Sequence, residues 1–109
     1  MNKVILKGRL TKNPIFNEHS ENKKAYARFC LAVPRMNGET DFFNCYAFSK
    51  TAEFIGEYFK KGQEMLLEGN IRYRFVEEEL HVDVIAEKCE FCGSKKDNDV
   101  TKEEDDYPL

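Results

Sequence analysis

Residues 40–62 read TDFFNCYAF and then SKTAEFIGEYFKKG, and the change of hydrophobic period between the two halves decides the fold. From Thr40 to Phe48 the chain alternates, with Phe43, Cys45 and Ala47 on one side and Phe42, Asn44, Tyr46 and Phe48 on the other. That is the two-residue period of a strand, and both of its sides carry aromatics. From about Lys50 to Lys61 the period lengthens, and Ala52, Ile55 and Phe59 form the inner stripe of a short amphipathic helix. Ser49 reads as its N-cap and Gly62 as its C′ residue.

Working outward, alternation dominates on both sides of this block. Val4, Leu6, Gly8 and Leu10 share one face of a first strand, opposite a basic face of Lys3, Ile5, Lys7 and Arg9. A polar loop with Asn13-Pro14 and the run from Asn17 to Lys24 follows. In a second strand Ala25, Ala27, Phe29, Leu31 and Val33 then alternate with Tyr26, Arg28, Cys30 and Ala32. Pro34 and Asn37-Gly38 close it in a turn. Beyond the helix, a fourth strand from Glu64 to Phe75 and a fifth from about Leu80 to Phe91 flank a turn near Glu77-Glu78, with Val82, Val84 and Ala86 in phase. Five strands with one helix between the third and fourth is the order of an all-β OB-fold barrel.

The chain has 109 residues and a net charge of −3. This length leaves room for one small core, placed here in residues 1–93. All of the net charge lies in residues 94–109, SKKDNDVTKEEDDYPL, where 3 basic residues face 6 acidic ones. A segment with so little to bury and so many like charges is expected to be disordered. Its apolar tip after Asp105 and Asp106, namely Tyr107-Pro108-Leu109, reads as bait for a partner protein. Residues 1–74 hold 13 basic against 8 acidic residues, so the acidic average conceals a basic face suited to a polyanion.

The opening MNKVILKGRL lacks the apolar run of a signal peptide or membrane span, which makes a soluble cytoplasmic protein the expectation. Cys30, Cys45, Cys89 and Cys92 fall in strand settings, where a reduced cysteine behaves as a small hydrophobe. Cys89-x-x-Cys92 has the spacing of half a zinc site, yet His19, His81, Cys30 and Cys45 are too scattered to complete four ligands. No nucleophile–base spacing, glycine-rich phosphate loop or paired-acid motif is present, so neither cofactor nor catalysis is expected.

Four passages give the chain a family resemblance. They are Met1 to Leu10, Phe29-Cys30-Leu31-Ala32-Val33, the block Thr40 to Gly62, and Leu67-Glu68-Gly69-Asn70-Ile71-Arg72. Together with the tip Asp105 to Leu109 they resemble the bacterial and phage single-stranded DNA-binding proteins, homotetrameric OB-fold proteins that coat single strands in replication, recombination and repair. The chemistry agrees: sequence-independent binding of a single strand needs flat side chains for base stacking and cations that track phosphates. Phe42, Tyr46 and Phe48 are the expected platforms if they share a face with Lys3, Lys7, Arg9 and Arg28, and Arg72 and Arg74 extend that face along strand four.

The resemblance places Phe42 and Phe48 at the family's stacking positions on strand three, and Lys50 at its basic position after that strand. Asn37 and Val76 stand where the family has further aromatics, Phe75 is one residue out of phase with the second, and Asn44 stands where a basic residue is common. The resemblance also implies a homotetramer built by pairing of first strands. It further implies recruitment of genome-maintenance proteins by Asp105, Asp106, Tyr107, Pro108 and Leu109, with Leu109 where the family has Phe. Phe29, Phe43 and Ile5 read as core or interface residues. Two other classes stay open: an OB-fold RNA-binding protein, since stacking and phosphate contacts barely separate RNA from DNA, and a replication-accessory protein-interaction module with weak DNA binding.

Overall fold

The computed structural model describes residues 1–19 and 24–92. In chain order the elements are β1 (Val4–Leu10), β2 (Ile15–His19), β3 (Lys24–Pro34), β4 (Thr40–Phe48), α1 (Ser49–Tyr58), β5 (Glu64–Val76) and β6 (Glu79–Phe91). The sheet order is β1-β5-β6-β4-β3-β2, and a further β1–β3 pairing closes it into a barrel. All ladders are antiparallel except β4 with β6, where Cys45 and Tyr46 lie beside Val84 and Ile85. This is the OB arrangement expected from the pattern of periods, with the helix between the third and fourth barrel strands.

The segment read as a polar loop after the first strand contains β2. Residues Ile15 to His19 pair with Arg28 to Lys24 of β3, while Arg9 and Leu10 of β1 pair with Ala32 and Leu31 of the same strand. The first barrel strand is therefore delivered in two lengths, interrupted at Thr11–Pro14, where Pro14 has no N–H to give a ladder. Asn17 and Glu18 hid the second length, because a five-residue strand with exposed polar side chains shows too little alternation.

Outward and inward residues alternate as the pleat requires, and the core gathers Leu10, Phe29, Leu31, Cys45, Met65, Leu67 and Val84. Helix α1 covers one end of the barrel with Ala52 and Ile55, and Phe59 just beyond it is also buried. The Phe59 ring stacks on Phe91 with centroids 4.3 Å apart and planes 12° apart. The helix boundaries differ from those expected. Phe48 occupies the N-cap with no side-chain hydrogen bond, and Ser49 opens the helix at φ 56. The helix ends at Tyr58, with Phe59 as extended C-cap. Gly62 takes the left-handed conformation at φ 88, but in the following turn, where its N–H donates to the Leu10 carbonyl at 2.9 Å.

The β5–β6 ladder carries one register shift, at Glu68/Gly69, which leaves Glu87 as the extra residue of a bulge. Gly69 is required there, since a Cβ would overlap the Ile85 carbonyl oxygen. Past the bulge the ladder runs in register to Val76 and Glu79. The turn between them holds Glu77 at φ 54 and Glu78 at φ 67, the sign pattern of a type I′ hairpin turn.

Candidate nucleic-acid interface

Cross-strand register assembles the outer face of β2, β3 and β4 in rows. Asn17, Tyr26 and Phe48 make the first row, and Ile15, Arg28, Tyr46 and Ile85 the second. Cys30 with Asn44 is the third, and Arg9, Ala32 and Phe42 the fourth. Phe42 is 62% exposed and Phe48 48%. Six residue steps of strand separate them, about 20 Å at the usual rise. Tyr46 lies half-buried between them, directly opposite Arg28. Phe43, on the other side of β4, packs against the core as its phase requires.

A second cation reaches this face from the β5–β6 ribbon. Arg74 Nε donates to Asp83 Oδ2 at 3.0 Å, and its guanidinium lies near the Tyr46 side chain. Asp83, by hydrogen bond and charge, raises the Arg74 pKa above its already high ordinary value. Arg72 lies two residues away on the same side of the ribbon. Lys50 is exposed in the first turn of α1, two residues after Phe48. Among the described residues Arg28, Lys50 and Arg72 take part in no ion pair.

Lys3 and Lys7 lie on a neighbouring panel, because over Val4–Gly8 strand β1 pairs, among the described residues, with β5 alone, and Arg9 stands at the border between the two. Lys3 sits between Glu68 at 3.0 Å and Glu87 at 3.4 Å, and these carboxylates raise its pKa. Lys7 and Arg9 each approach Glu64 at 4.0 Å, and Arg9 Nη1 donates to the Gly62 carbonyl at 2.9 Å. Of the four cations expected beside the aromatics, Arg28 is central and Arg9 marginal, whereas Lys3 and Lys7 face elsewhere.

The hairpin keeps Phe75 away from this group. No register shift falls between Asn70 and Val76, so Phe75 stays opposite Arg72 and Arg74, in a tilted ring pair with Tyr73 at 5.9 Å. Asn37 lies in the turn after β3, where its side chain accepts from the Glu39 N–H at 2.9 Å. The face also contains two residues not singled out from sequence. Tyr26 shares the outward phase of Arg28, a signal that was visible in the alternation. Asp83 is 8% exposed, and its role depends on the bulge-set register, which no local pattern reveals.

The two buried thiols, Cys45 and Cys89, are held protonated. Burial raises the Cys45 thiol far above its ordinary pKa and pushes Cys89 up to about 12. Cys89 faces the core from β6, and Cys92 follows the strand. Among the described residues no three His, Cys, Asp or Glu side chains converge as metal ligands, and no helix is long and apolar enough to cross a membrane. The segment 94–109, with Asp105, Asp106, Tyr107, Pro108 and Leu109, lies outside the described residues.

The chain is similar to known proteins. The model of the single-strand binding protein family matches residues 1–92. A single-stranded DNA-binding protein of Fusobacterium nucleatum is 44% identical over 119 residues, covering 98% of this chain and 76% of that protein. One from Clostridium perfringens is 42% identical over 101 residues, with 86% and 67% covered. Single-stranded DNA-binding protein 1 of Clostridium acetobutylicum is 32% identical over 108 residues, with 89% and 98% covered.

Proposed function

The chain belongs to the single-strand binding protein family, and on that premise we propose that it binds single-stranded DNA without regard to sequence. It coats exposed strands in replication, recombination and repair and performs no catalytic step. The observation that carries this reading is the row structure of the β3–β4 face, where exposed Phe42 and Phe48 flank the Arg28–Tyr46 pair and Arg74 approaches from the side. Every nucleobase has a π-face, so aromatic platforms accept any sequence, each contributing about 1–3 kcal/mol.

In this reading Phe42, Tyr46 and Phe48 meet bases, while Arg28, Lys50, Arg72 and Arg74 meet phosphates. Arg9 at the edge of the face, and Lys3 and Lys7 on the adjoining panel, add attraction. A homotetramer begins with pairing of first strands. In support, β1 has no ladder partner over Val4–Lys7 on the edge away from β5 among the described residues, and its Ile5 is 64% exposed. Residues 1–93 form the binding domain, and the segment 94–109 recruits genome-maintenance proteins. There Asp105 and Asp106 pair with Arg or Lys of the partner, while Tyr107, Pro108 and Leu109 enter an apolar pocket. The protein works in the cytoplasm, at the nucleoid.

A fluorescence-anisotropy titration of labelled poly-dT, poly-U and duplex DNA across a salt series tests the reading. Tight, salt-dependent preference for poly-dT is expected. Equal affinity for poly-U would redirect the function to RNA, and weak binding of all three would redirect it to protein partners. In the same assay Asp105→Asn with Asp106→Asn should leave poly-dT affinity nearly intact, while a separate pull-down of genome-maintenance proteins should show partner capture abolished.

A further inference from the structure

We infer that Tyr26 is a nucleobase contact and that it forms, with Phe48, one base-binding subsite at the end of the β3–β4 face. The inference rests on the proposed strand-binding function and extends it to a residue outside the four sequence passages quoted above. Tyr26 and Phe48 are direct register partners on β3 and β4. Their rings lie nearly parallel, with centroids 6.3 Å apart and planes 22° apart. Both project outward from the barrel: Tyr26 is half-buried, and its chain neighbours Ala25 and Ala27 face the core. The hydrophobic core therefore does not call for an aromatic at this position.

Two near-parallel rings on adjacent strands place two aromatic groups at one end of the face. A base seated on Phe48 lies within reach of the second ring, and its sugar-phosphate lies toward Arg28, two residues along β3 on the same face. Tyrosine suits such a position, because its ring is apolar while its hydroxyl tolerates a wet, polar rim. The bland alternative is a cross-strand aromatic pair that only stabilises the sheet.

The experiment compares Tyr26→Phe and Tyr26→Leu with the unmodified full chain in a poly-dT titration over a salt series, with thermal midpoints measured alongside. In parallel, an oligo-dT carrying 5-iododeoxyuridine is photocrosslinked to the unmodified chain and the adducts are mapped by mass spectrometry. Base contact predicts that Tyr26→Phe keeps its affinity and Tyr26→Leu loses about tenfold, within the range for one stacked base. It also predicts an unchanged salt slope, since no charge is lost, and an adduct at Tyr26. If the unmodified chain binds poly-dT yet gives no Tyr26 adduct, and Tyr26→Leu binds as well as Tyr26→Phe, the inference fails while the strand-binding function stands. A Tyr26→Leu loss that tracks a lower thermal midpoint, with no adduct, also overturns it. Failure of the unmodified chain to bind poly-dT removes the function and the inference together.

Discussion

Arg74 is held to Asp83 by a diagonal contact across the β5–β6 ribbon, Nε to Oδ2 at 3.0 Å, and Asp83 is buried to 8% exposure. The carboxylate is fixed by the barrel, so it fixes a guanidinium beside Tyr46 on the proposed DNA face. Positioning of this kind lowers the ordering cost of a phosphate contact.

Removing that cation should register in the salt dependence. Arg74→Gln is expected to weaken poly-dT binding and to reduce the log–log salt slope by about 0.7, the share of one neutralised phosphate on a single strand. Asp83→Asn should weaken binding with a smaller change of slope, because the cation remains but is no longer held. An unaltered slope in Arg74→Gln would remove this residue from the phosphate path.

The two exposed phenylalanines should act as independent platforms. Phe42→Ala and Phe48→Ala are each expected to cost about 1–3 kcal/mol of poly-dT affinity. At about 20 Å apart their effects should add within about 0.5 kcal/mol. Folding stability should change little, and a double variant assayed by anisotropy and thermal melting checks both statements.

At the closed end of the barrel the opposite behaviour is expected. Phe59 is 2% exposed and stacked on Phe91, so Phe59→Ala should destabilise the fold by about 3–5 kcal/mol. Urea unfolding gives the value directly. A loss below about 1 kcal/mol would mean that α1 does not seal the core as described.

The hairpin turn is strained in a way that can be relieved. Glu77 and Glu78 both hold positive φ, 54 and 67, where a side chain costs about 1–2 kcal/mol and glycine almost nothing. Glu78→Gly should therefore raise the urea midpoint. It should also strengthen poly-dT binding at low salt by removing a negative charge from the ribbon that carries Arg72 and Arg74.

Acid stability should depend on two exposed carboxylates. Arg35 contacts Asp41 through Nε at 3.0 Å and Nη2 at 2.8 Å, holding the carboxyl below its ordinary pKa. Asn70 and then Lys3 do the same for Glu87. Unfolded, these groups titrate at about 3.9 and about 4.3. Their folded values are the lower, so the unfolded state takes up protons first as pH falls. The stabilisation is thus fully present above the unfolded values and lost as pH drops through the folded ones. The urea midpoint should decline below about pH 4, and Asp41→Asn should decline less steeply there. Parallel acid limbs for the two proteins would show that the Arg35 contact contributes nothing.

Much of the barrel was legible because strand and helix periods are local. Thr40–Phe48 alternates without interruption, and it is β4 to the residue. Ala52, Ile55 and Phe59 announced the covering helix. What stayed hidden depended on weak or distant signals. Ile15–His19 is too short and polar to show its period. Ser49 has the composition of a cap, yet the turn from β4 into α1 gives that position to Phe48.

The site divides along the same line. Sequence alone determined which side of each strand carries Phe42, Tyr46, Phe48 and Arg28, because successive side chains must point to opposite faces. Only the tertiary structure decided which faces adjoin. Barrel closure sets Lys3 and Lys7 against β5 and its carboxylates, register puts Tyr26 beside Phe48, and the Gly69 bulge brings Arg74 to Asp83. These are relations between strands far apart in the chain, and they arise from ladder pairing and backbone approach that no local period encodes.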